Sequence, residues 1–70
     1  MHNNIFLLRF AHHDGTIEEQ EYCIADDAWN AFRMFAEPDS SEIYACIVLV
    51  EYSFKTERET PLAQMRFYPA

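Results

Sequence analysis

Gly15 is the only glycine in the seventy-residue chain, and it follows Asp14 between two runs of β-forming residues, "NIFLLRFAH" and "TIEEQEYCI". An Asp-Gly pair in that setting is a strong hairpin signal, because glycine enters the positive-φ region at no steric cost. A type I turn with Gly15 left-handed pairs His12 with Thr16 and sets Arg9 opposite Glu19. It also gathers Phe6, Leu8 and Phe10 on one face with Tyr22 and Ile24.

The stretch "ADDAWNAFRMFAE" has helical period. Asp26, Asn30, Arg33 and Glu37 form a polar stripe, while Ala25, Ala28, Phe32, Phe35 and Ala36 gather opposite, with Trp29 at the edge and Met34 exposed. Asp26 or Asp27 is expected to accept hydrogen bonds from the free N–H groups at the helix start, and both acids favour the positive end of the helix dipole. Pro38 ends the helix, and "PDSSE" reads as a polar loop. "IYACIVLVEYSF" is apolar on both alternating faces, as a central strand requires. After the charged turn "KTERET", "PLAQMRFY" alternates as a half-exposed edge strand with Pro61 near its start.

The expected architecture is therefore a single α+β domain over residues 1–70, of ββαββ order. Placing the apolar strands (5–12 and 43–54) inside and the charged ones (16–24 and 60–68) at the edges gives a four-stranded antiparallel-type sheet of order 2-1-3-4, with the helix across one face. One helix shields one face only. The inner strands nevertheless carry large apolar side chains on both, so the helix-free face is expected to bind another molecule, with self-association the commonest use of such a surface. Ile5, Leu7, Ile47 and Leu49 are the candidate interface residues.

Composition bounds the function. A chain this short buries only about 60% of the surface its unfolded form exposes, which leaves little room for an enclosed active site. Half of the residues are apolar and 16% aromatic, too many for a disordered acidic tail. Twelve acids against five Lys and Arg give a net charge of −7, which repels nucleic-acid backbones and favours a basic protein partner. No stretch resembles a secretion signal or a membrane span. Cys23 and Cys46 lie in apolar strand-like contexts and are expected to be buried reduced thiols, in keeping with a cytoplasmic setting.

Glu18, Glu19, Glu21, Asp26 and Asp27 form a candidate acidic contact patch. It reads either as a charged edge that discourages aggregation or as a surface for a basic partner, in the extreme a mimic of a phosphate row. His12 and His13 are adjacent, and neighbouring strand residues point to opposite faces, so they do not share a metal ion easily; no metal or cofactor is expected. Neither cysteine has the electropositive surroundings of a catalytic thiol, and Ser40-Ser41 lack a nucleophile-elbow context. The chain is accordingly read as non-enzymatic: a small interaction module forming a homodimer, or alternatively an acidic inhibitor that fills a basic channel of a larger protein.

Overall fold

The computed structural model describes residues 4–67. Strand β1 (Asn4–His12) turns into β2 (Ile17–Tyr22); helix α1 (Ala25–Phe35) and a short 3-10 turn (Pro38–Glu42) follow, and then β3 (Tyr44–Ser53) and β4 (Arg58–Arg66). All pairings are antiparallel and the sheet order is β2-β1-β3-β4. This is the α+β arrangement that the sequence leads one to expect, with α1 packed on one face.

The first hairpin closes as anticipated. His12 N–H donates to the Thr16 carbonyl at 2.8 Å, Gly15 N–H donates to the His12 carbonyl at 3.0 Å, Gly15 has φ +94°, and Arg9 lies opposite Glu19. Asp14 supports the turn from within: its Oδ1 accepts the Thr16 N–H at 2.9 Å and the Thr16 hydroxyl at 2.7 Å, and these two bonds hold its carboxyl below the usual carboxylate range. A Cβ on Gly15 would meet no atom within 4 Å, so substitution costs only the left-handed backbone. Gly15→Ala is expected to destabilise the chain by about 1 kcal/mol, read as a fall of roughly 4–8 °C in the thermal midpoint by circular dichroism.

The core lies between sheet and helix. Leu8, Phe10, Ile47 and Leu49 are essentially inaccessible, and Ala28, Ala31 and Phe67 complete the buried cluster. Leu8 pairs directly with Leu49, and Phe10 with Ile47, so the four share the helix side of the sheet. The Phe10 ring packs edge-on against Phe35 and tilted against Tyr44, both at 4.9 Å between centroids.

Several local expectations change. Helix α1 buries Ala28 and Ala31 deepest and packs Phe32, Phe35 and Ala36 against the core as its period predicts, but leaves Ala25 exposed, so its apolar stripe begins at Ala28. Neither Asp26 nor Asp27 caps the helix. The N-cap is Ile24, no side chain caps it, and the two acids sit in the first turn, where only their charge complements the dipole. Ile24 is consequently exposed instead of sharing the core face with Tyr22. "PDSSE" winds into a 3-10 turn with Pro38 at its start. Pro61 falls inside β4, opposite Val50 and beside a register shift in the β3–β4 pairing, a position that an edge strand tolerates because its missing N–H breaks no ladder bond. Cys23 is exposed, because β2 ends at Tyr22 and the thiol falls in the connection to the helix; Cys46 is partly buried, and both thiols are free.

Candidate interaction surface

The strand pairing decides which apolar residues face away from the helix. Leu7 pairs with Val50, Ile5 with Tyr52 and Arg9 with Val48, so Ile5, Leu7, Val48, Val50 and Tyr52 make a strip along the two middle strands of the helix-free face. Ile5 and Leu7 stand where the sequence reading placed them. Ile47 and Leu49 do not: both are fully buried in the core beneath α1, and Val48 and Val50 take their places on the outer face. The correction is one of parity, since a one-residue shift in a strand exchanges its two faces.

Leu7 and Val50 are only 6% and 3% exposed although no helix lies above them. The Arg9 side chain reaches across this part of the face. Its Nε donates to Glu19 on β2, and its Nη1 donates to Glu59 Oε1 at 2.9 Å while Nη2 donates to the second oxygen of the same carboxylate. Because β3 lies between β1 and β4, the guanidinium must cross β3 to reach Glu59. The arginine therefore forms a strap across the strip, its methylene stem on apolar surface and its head between two carboxylates. The bidentate bond to Glu59, with that to Glu19, raises the Arg9 guanidinium further above its ordinary range, and the same bond lowers Glu59 below the usual carboxylate range. Arg9 opposite Glu19 was legible from the turn; its second partner was not, because that contact depends on the β4 register.

Beside the strap is a shallow depression of about 380 Å³, lined by Ile5, Leu7, Tyr52 and Phe54 together with Arg9, Glu19, Glu21 and Glu59. Tyr52 and Phe54 meet edge-on at 5.0 Å. The depression thus has an apolar floor and an acidic rim relieved by Arg9.

The five acids expected to form one patch are dispersed. Glu19 and Glu21 lie on the helix-free side. Glu18, one residue away in the alternation, pairs with Phe10 on the helix side and contacts His12 Nε2. Asp26 and Asp27 occupy the first turn of α1. The histidines part in the same way: the His12 ring lies 5.0 Å from that of Tyr44, whereas His13 Nε2 is 2.7 Å from the Ser41 carbonyl and ties the hairpin tip to the 3-10 turn. Among the described residues no group of three His, Cys, Asp or Glu is placed to hold a metal ion, and no helix is long and apolar enough to cross a membrane.

No family model matches the chain, and no curated protein or solved structure matches it significantly. Its function is therefore argued from its own surface.

Proposed function

We propose that this chain is a non-enzymatic interaction module that self-associates through the helix-free face of its sheet. The observation that carries the reading is the apolar strip on β1 and β3, central on the face and flanked by charge at the rim, which is the anatomy of a protein interface. Strands about 4.8 Å apart with a rise of about 3.3 Å per residue give this sheet roughly 600 Å² in projection. That is the whole face; the strip on the two middle strands is roughly half of it, less than the roughly 800 Å² that each partner of a standard stable complex covers, so the dimer is expected to be a weak one. A second copy is the occupant argued for, because a two-fold axis through the strip sets apolar surface on apolar surface and leaves Glu19, Glu21 and Glu59 near the periphery, in contact with water.

The charge makes a test available. Two chains that each carry a net charge of −7 repel one another, so salt should tighten their association. Sedimentation equilibrium of the purified protein is expected to show a concentration-dependent shift from 8.3 kDa toward twice that mass, more complete at 0.5 M than at 0.05 M sodium chloride. A strict monomer at several hundred micromolar in both salts sinks the reading. The alternative, an acidic inhibitor seated in a basic channel, rests on the net charge and on Glu21, Asp26 and Asp27, which are all exposed. It predicts the opposite salt dependence, because attraction between unlike charges is screened.

A further inference from the structure

We infer that the Arg9 strap is a lid that competes with the second copy for the apolar strip, so that the two carboxylates holding it set how readily the face associates. The inference rests on the self-association reading and adds its regulation.

Three observations meet at this residue. The Arg9 guanidinium is held on two sides, by Glu19 on β2 through Nε and by Glu59 on β4 through Nη1 and Nη2, so the side chain lies along the sheet instead of extending into water. It crosses the middle of the strip, and the two residues there, Leu7 and Val50, are the ones on this face that are buried within the single chain. Both anchoring carboxylates are themselves substantially exposed, with side-chain accessibilities of 42% for Glu19 and 45% for Glu59. Exposed ion pairs hold weakly and exchange readily with water. The strap is therefore a cover that thermal motion can open, whereas a packed helix is not.

In the closed position, Arg9 hides apolar area that a second copy would otherwise bury, and docking has to displace it or accommodate it. Other ionisable groups on the face are Glu21 on β2, Cys46 and Tyr52 on β3, and Arg66 on β4; none of them hydrogen-bonds to the guanidinium. Removing the charge of the two anchors frees the strap without deleting the arginine, and that isolates the lid from any direct contact Arg9 makes across the dimer.

The decisive comparison is between Glu19→Gln/Glu59→Gln and the control Glu37→Gln/Glu42→Gln, which changes net charge equally at two exposed positions outside the face. At neutral pH the anchor variant is expected to dimerise at least fivefold more tightly than the control by sedimentation equilibrium. At concentrations where both are monomeric, it should also bind the apolar dye ANS more strongly. Arg9→Met, which removes the strap's charge, should behave as the anchor variant does, and circular dichroism verifies that each variant is folded. If the wild type dimerises but the anchor variant is no tighter than the control, the lid is overturned and self-association stands. If the wild type remains monomeric at several hundred micromolar in both salts, self-association falls and the lid falls with it.

Discussion

Phe10→Ala is expected to leave most of the chain unfolded at 25 °C. Phe10 is 1% exposed, and its ring sits between Phe35 of the helix and Tyr44 of β3, so it joins the helix to the sheet. Truncating a buried phenylalanine typically costs about 3–5 kcal/mol, because the transfer free energy is lost and the cavity closes only in part. A core in a chain this small supplies about the same amount in total. Urea titration followed by far-ultraviolet circular dichroism should find the wild-type transition abolished or moved close to zero denaturant. Phe10→Leu, which keeps most of the volume, should retain a cooperative transition at a lower midpoint. An unchanged midpoint for the alanine variant would mean that the helix does not dock where the structure places it.

Val48→Glu and Ile47→Glu should fail in opposite ways although the residues are adjacent. Val48 is partly exposed on the helix-free face; a glutamate there can reach water in the monomer, so the variant is expected to fold. In the dimer the same carboxylate, opposite Arg9 but now enclosed against apolar surface, must give up its water once in each copy, and that desolvation costs several kcal/mol. The dissociation constant should rise by roughly a hundredfold or more, the equivalent of about 2.7 kcal/mol. Ile47 is fully buried under α1, and a glutamate at that position should prevent folding altogether. Melting curves and sedimentation equilibrium on the pair separate the outcomes. A folded Val48→Glu that still dimerises like wild type would show that the strip is not the contact surface.

The contrast between these neighbours marks where the sequence stopped being informative. The β1–β2 register follows from Asp14-Gly15, since the turn chemistry permits few pairings and one of them places the aromatic residues together. The helix follows from its 3.6-residue period, and the sheet order from the positions of charged and apolar strands. The outward face of β3 did not follow, because residues 43–50 are apolar at both parities and the alternation that would orient the strand is absent. The cysteines illustrate a related limit. An apolar neighbourhood in sequence suggested burial for both, yet Cys23 is exposed because the strand ends one residue before it.

The acidic patch was overestimated for a reason that strand geometry contains. Successive side chains on β2 point to opposite sides, so Glu18 leaves the group formed by Glu19 and Glu21. Arg9 was the reverse case. A lone cation in an apolar strand was visible, and so was its partner on β2, but Glu59 lies fifty positions away along the chain and enters reach only through the β4 register beside its irregularity.

By itself, then, the sequence determined the four strands and the helix, their order, the first hairpin and the acidic character, all of which depend on local conformational preference or on summed charge. Tertiary structure alone decided that Leu49 lies beneath the helix and Val50 opposite it, that Arg9 bridges three strands to Glu59, and that the helix-free face is partly covered by its own arginine. Those outcomes depend on long-range pairing, in which a displacement of one residue exchanges inside for outside at almost no cost to local propensity.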